Sequence, residues 1–129
     1  MNRSVRDTLL REAALFREAD AYLTEEARRA LAAALRDRAP GKIVLDAEAL
    51  LRYPQVLRKY IFRCALQELT GDILDVSAAH IDALLSLLTS STGGSAHLPR
   101  GVRARRERGT VALEVGEGEP LKPKPTSKG

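Results

Sequence analysis

The sequence predicts a mainly α-helical fold: a helical bundle with one long N-terminal helix, closed by a small C-terminal β-hairpin. Three observations predict it. Apolar residues recur at steps of three and four from Leu9 through Ala13, Phe16, Ala19, Leu23, Ala27 and Leu31 to Leu35, the spacing of one helix face. Two more stripes of the same period follow, Leu57-Ile61-Cys64-Ala65-Leu69 and Ala78-Ile81-Leu84-Leu85-Leu88. Between Leu98 and Val115 the pattern changes to alternation about a turn at Glu107 to Thr110, where Gly109 can supply a positive φ.

Ser4 is placed to cap the first helix, with Asp7 three residues on as a weak capping box. Arg11, Glu12, Arg17, Glu18, Glu25, Arg28 and Arg29 fall on its polar side. Unbroken from Val5 to Arg38, it would be about 50 Å long at 1.5 Å per residue. Thr24-Glu25-Glu26 marks a place for a break near Leu23, and Ala39-Pro40-Gly41 ends the helix. Lys42 to Leu45 is a β-branched run, extended against the body. Asp46 caps a brief helix through Leu51, which stops before Tyr53-Pro54 because the residue ahead of a proline avoids the helical region. Pro54 suits the first turn of the next helix, Gln55 to Leu69, which ends at Thr70-Gly71. Ser77 caps the last helix, and Thr89 to Ser95 reads as a loose linker. In the hairpin, Val102 and Ala104 take one face and Arg103 and Arg105 the other, while Val111, Leu113 and Val115 share a face on the return. Residues 1–115 are therefore expected to form one helical domain ending in a basic hairpin (98–115), and residues 116–129 a disordered tail.

A chain of 129 residues suits one domain with a modest core. Its single cysteine, Cys64, allows no internal disulfide and fits a reducing compartment. No signal-peptide pattern follows Met1 and no apolar run reaches membrane-spanning length, so the expectation is a cytoplasmic protein without membrane contact. The net charge of +4 is unevenly spread: residues 1–40 sum to +1, residues 41–95 to −1 and residues 96–129 to +4. Five arginines fall between Arg100 and Arg108. Such a patch is the footprint of a phosphate-rich partner. A solvated edge strand that blocks edge pairing gives the same pattern, and charge alone does not separate the two.

No catalytic constellation is visible. Ser91-Thr92-Gly93-Gly94-Ser95 lacks the Lys-Ser/Thr pair of a P-loop and the aspartate of the pyrophosphatase-type Ser-Gly-Gly-x-Asp-Ser loop, and it follows a helix rather than opening one. His80 and His97 have no partner at metal-ligand spacing. Cys64 lies on an apolar stripe, where an inert packed thiol is expected. Asp72, Asp75 and Asp82 are accounted for by turn and surface duties.

Three segments carry a resemblance. The first is Val5-Arg6-Asp7-Thr8-Leu9-Leu10-Arg11-Glu12-Ala13 running into Ala21-Tyr22-Leu23, the second Tyr53-Pro54 through Leu57-Arg58 to Arg63-Cys64-Ala65-Leu66. The third is His80-Ile81 and Leu84-Leu85 followed by Leu98-Pro99-Arg100-Gly101-Val102-Arg103 and Arg105-Arg106. In this order they resemble the middle-to-C-terminal region of bacterial tRNA(Ile)-lysidine synthase: its long helix, its basic helix after a proline, and its closing Leu-Pro-Gly-Gly with a basic hairpin. Arg100 stands here where the family usually has a glycine. The resemblance implies a parent enzyme that activates the wobble cytidine of one isoleucine tRNA with ATP and lets lysine attack it. ATP and Mg²⁺ are implied only for the family's N-terminal catalytic domain, which this chain is expected to lack, so no cofactor and no catalysis are expected of the chain alone.

The expectation is thus the tRNA-contacting part of a lysidine synthase. Its candidate phosphate contacts are Arg100, Arg103, Arg105 and Arg106 on the hairpin, with Arg58, Lys59 and Arg63 on the helix that follows Pro54. Lys59 and Arg63, one turn apart, share a face. Neutralising about four phosphates would make log K fall with log salt at a slope of roughly −3 to −4. The expected partners are tRNA and the catalytic domain of the same enzyme, and the long N-terminal helix offers a surface for a homodimer. Two rivals stand beside this reading. A helical protein-interaction module would show a contiguous exposed apolar patch. A DNA-binding helix pair, Gln55 to Leu69 and Ser77 to Leu88, is disfavoured because its second helix carries no Arg or Lys.

Overall fold

Alanine and leucine at helical spacing carry the first element, α1 (Asn2–Ala34), without a break at Leu23. The computed structural model describes residues 2–71, 76–90 and 93–116, and of residues 2–7 the backbone alone. Over its 33 residues, α1 runs about 50 Å. Only its C-terminal part enters the core, where Ala27, Ala30, Leu31 and Ala34 are buried in the contact with α3 (Gln55–Thr70). Alanines at this seam let the two backbones approach closely. Towards the N-terminus Leu9, Leu10, Leu15, Phe16 and Tyr22 are largely exposed, with Phe16 at 72%. The apolar stripe continues beyond the body it packs on.

The helix ends at Ala34, short of the expected Arg38, because Leu35–Ala39 turns back as strand β1. Pro40-Gly41 is a hairpin turn rather than a helix stop: Ala39 pairs with Lys42 of β2 (Lys42–Asp46), and Gly41 takes φ 74°. Proline followed by a positive-φ glycine is the sequence of a type II turn. The register shifts between Leu35 and Asp37, so Arg36 is the extra residue of a bulge. Arg38 reaches across to Glu68 of α3 at 2.7 Å and ties the edge strand to the helices.

The next elements match expectation closely. Asp46 caps α2 (Ala47–Leu51) by accepting from the Glu48 and Ala49 N–H groups. Gly71 closes α3 in the left-handed conformation at φ 83°. Ser77 and His80 form a reciprocal capping box on α4 (Ala78–Leu88). The expected linker does not stay loose: Gly94–Leu98 is strand β3, paired antiparallel with β4 (Val102–Glu107). A tight turn at Pro99–Gly101 joins them. β4 and β5 (Thr110–Val115) form the expected basic hairpin, with Gly109 at φ 79°.

The molecule is therefore not a helical bundle closed by a hairpin. Its strands form one five-stranded antiparallel sheet in the order β1-β2-β5-β4-β3, with the helices layered on one face. Ile43, Leu45, Val102, Ala104, Val111 and Leu113 point from the sheet into the core, where they meet Leu31, Leu50, Ile61, Phe62, Leu66, Leu84 and Leu88. Asp72, Asp75, Ser91, Thr92 and the tail at 117–129 lie outside the described residues.

Candidate nucleic-acid interface

Alternation along the strands gives the sheet a second face, and among the described residues no helix lies over it. Register fixes what stands there. One row crosses Lys42, Glu114, Arg103 and His97, and the next crosses Asp37, Val44, Ala112, Arg105 and Ser95. Small side chains at Ala112 and Val44 leave a shallow depression of about 90 Å³ between Lys42, Arg103, Arg105 and Thr110. Beside it a wider groove of about 310 Å³ runs past Pro40, Gly41, Arg103 and Glu114. Among the described residues Arg105 is tied only to Glu107, at 3.4 Å, and both side chains are about half exposed, so the pair is worth little and opens readily. Among the described residues neither Arg103 nor Lys42 has a hydrogen-bonded or ion-paired side-chain partner. Glu107, Glu114 and Asp37 interleave with the cations, so the face offers individual contacts rather than a strong long-range field.

The seven cations singled out in the sequence do not form one patch. Arg103 and Arg105 stand together on the open sheet face. Lys59 and Arg63 stand together on the helical layer, in a cleft between α3 and α4. Arg58 and Arg106 are committed to backbone carbonyls. Arg58 donates from Nε to the Tyr53 carbonyl at 2.8 Å and from Nη2 to that of Leu51 at 2.7 Å, closing the turn after α2. Arg106 lies on the core side of β4 and donates from Nε to the Leu88 carbonyl at 3.0 Å, with Nη1 on the Glu107 carbonyl. That places a cation at the C-terminal end of α4, where the helix dipole favours it. Arg100 sits in the β3–β4 turn with φ 64° and ψ 28°, followed by Gly101 at φ 72°, and the Val102 N–H bonds the Pro99 carbonyl. Two successive positive φ values are what a type I′ turn demands, and an arginine occupies a place that suits glycine.

Sequence reading missed Lys42 and His97. Lys42 joins the face because β2 inserts beside β5, and His97 because β3 pairs with β4. The Pro40-Gly41 turn before a β-branched run was the available signal for the first, and none existed for the second. Elsewhere, burial pushes the Cys64 thiol up from its ordinary pKa. A hydrogen bond to the Asp20 carboxylate at 2.7 Å, helped by partial burial, raises the Tyr60 phenol. Among the described residues no group of three His, Cys, Asp or Glu side chains could hold a metal ion, and Gly94 opens a strand. No described helix is long and apolar enough to cross a membrane.

A family model described as the TilS substrate binding domain matches residues 45–112, more than half of the chain. The chain belongs to the TilS substrate-binding domain family. The match runs from within β2 to within β5 and so takes in α2, α3, α4 and most of the sheet. A tRNA(Ile)-lysidine synthase of Geobacter sulfurreducens is 28% identical over 114 residues, covering 88% of this chain. This chain spans 24%, about a quarter, of that protein's length. The TilS domain model leaves α1 and β1 outside its match, which sets the projecting helix apart from the matched body.

Proposed function

We propose that this chain is the tRNA-positioning part of a tRNA(Ile)-lysidine synthase and holds the RNA through phosphate contacts on the open face of its sheet. The observation that carries this is the grouping of Lys42, Arg103 and Arg105 on a face that no described helix covers. Guanidinium groups offer paired N–H donors that match phosphate oxygens, and contacts of this kind fix register without reading sequence. A rigid sheet holds the donors at strand spacing, so the RNA backbone is located before any chemistry takes place on a base. The reaction belongs to other parts of the enzyme, and the setting for both is the cytoplasm.

Titration of an isoleucine tRNA at several salt concentrations tests this. Three phosphates neutralised by Lys42, Arg103 and Arg105 give a log–log slope of roughly −2 to −3. The double variant Arg103→Gln/Arg105→Gln should make the slope shallower by roughly 1.4 to 1.8. An absence of binding at low salt, or an unchanged slope in the variant, rules the interface out.

A second reading concerns α1. Leu9, Leu10, Leu15 and Phe16 are exposed on the segment that leaves the body, and exposed apolar side chains are what a protein-interaction module would offer a partner. In this reading α1 docks on the catalytic domain of the same enzyme, while the sheet face holds tRNA. The two roles use different surfaces and are compatible.

A further inference from the structure

Between α3 and α4 the helical layer opens into a cleft of about 320 Å³, lined by Lys59, Arg63, Val76, Ala78, Ile81 and Asp82. Lys59 and Arg63 lie one turn apart on α3, so both can reach a single phosphate. Neither has an ion-paired partner among the described residues. The Arg63 guanidinium lies 5.9 Å from the centroid of the Tyr60 ring, a contact that steadies the side chain and leaves its N–H donors available. Below the cations the wall is apolar: Ile81 is buried, and Val76 is half-buried beside Ala78. Asp82 supplies a carboxylate to the same space. The first turn of α4 is already closed by the Ser77–His80 bonds, so the attraction for an anion comes from the two side chains.

Two cations at the edge of an apolar pocket fit a ligand that is anionic at one end and flat or apolar at the other. We propose that this cleft takes one unstacked nucleotide of a bound RNA. Its phosphate rests on Lys59 and Arg63, its sugar and base lie against Val76, Ala78 and Ile81, and Asp82 accepts from a hydroxyl or an amino group. Extrusion of single nucleotides into side-chain pockets is how proteins read RNA beyond its backbone. The volume lies at the lower end of the range for small-ligand pockets, as a single nucleotide requires. This inference rests on the reading of the chain as a tRNA-binding domain and adds a second contact, across the core from the sheet face.

The test is a titration of the isotope-labelled full chain, followed by amide NMR shifts, with adenosine and cytidine 5′-monophosphates, the free nucleosides and inorganic phosphate. Saturable shifts at Ala78 and Ile81 are expected with the monophosphates, with affinity roughly tenfold or more above that of nucleoside or phosphate alone. Lys59→Gln/Arg63→Gln should lose roughly tenfold or more in monophosphate affinity with an unchanged circular dichroism spectrum, and Arg17→Gln should lose none. Absent shifts, equal affinity for inorganic phosphate, or an unaffected double variant overturns the proposal. Monophosphate binding in the cleft without tRNA binding overturns the tRNA reading and the RNA part of this one. A tRNA salt slope that responds to Arg103→Gln/Arg105→Gln, with no shifts in the cleft, overturns the cleft alone.

Discussion

Position on the strand decides which of the hairpin arginines can meet a ligand. Arg103 and Arg105 alternate outward, whereas Arg106 follows Arg105 and turns to the core side, where carbonyls of α4 and the β4–β5 turn take up its donors. A bond from a charged donor to a carbonyl in a half-buried place is worth more than a surface ion pair. Arg106→Gln should therefore lower stability by about 1–3 kcal/mol, whereas Arg103→Gln should stay within about 0.5 kcal/mol of the unsubstituted chain. Thermal unfolding of the two variants side by side checks this, and a reversed order would contradict the assignment. At Arg100 the φ of 64° costs an L-residue roughly 1–2 kcal/mol, which glycine would avoid. The arginine therefore leaves the left-handed turn in place and puts a cation on it.

Among the elements, those with a local chemical signature were legible. Asp46, Gly71 and Ser77 mark helix ends because capping is a matter of the neighbouring few residues. The β4–β5 hairpin is legible for the same reason, through alternation and Gly109. β1 and β3 were not. Leu35-Arg36-Asp37-Arg38-Ala39 continues the period of α1 with residues at home in helices, and Gly94-Ser95-Ala96-His97-Leu98 has almost no intrinsic strand preference. Both are strands because a neighbour offers a ladder, a long-range fact that overrides local propensity. The open sheet face, and with it the grouping of Lys42, His97, Arg103 and Arg105, depends on those pairings and was only half visible. Helix docking carries its own test. Tyr60 of α3 donates to Asp20 of α1, and its pKa is raised in the folded protein by that bond first and by desolvation second. A phenol held protonated by folding contributes fully below its unfolded pKa of about 10, and the contribution is lost as pH rises through the higher folded value. Stability should fall above pH 10 by a few tenths to about 1 kcal/mol more than in Tyr60→Phe, read from unfolding midpoints between pH 8 and 11. Parallel curves for the two proteins would show that the bond does not hold α1 to α3.

Across the whole molecule, core and projecting surface divide at about Asp20. From Thr8 to Glu26 no residue is buried, and the Asp20–Tyr60 bond is the most N-terminal tie between α1 and α3 that is formed by side-chain hydrogen bonding among the described residues. The TilS domain match likewise begins only at Leu45. Stability should therefore be a property of residues 20–116, because the buried apolar side chains among the described residues all lie there. Deleting residues 1–18 should leave cooperative unfolding intact, with a midpoint shift of a few degrees at most and little change in denaturant dependence, since that dependence follows the surface exposed on unfolding. The same deletion should leave the salt slope of tRNA binding unchanged, because Lys42, Arg103 and Arg105 stand on the sheet. What it should alter is association: Leu9, Leu10, Leu15 and Phe16 leave with the deleted segment, and any self-association or docking on a catalytic domain through α1 leaves with them. Light scattering and denaturant unfolding of the full and shortened chains, at matched concentration, separate these effects. A large loss of stability on deletion would mean that the first half of α1 is already covered in solution, with a second copy of the chain as the occupant if the loss grows with protein concentration.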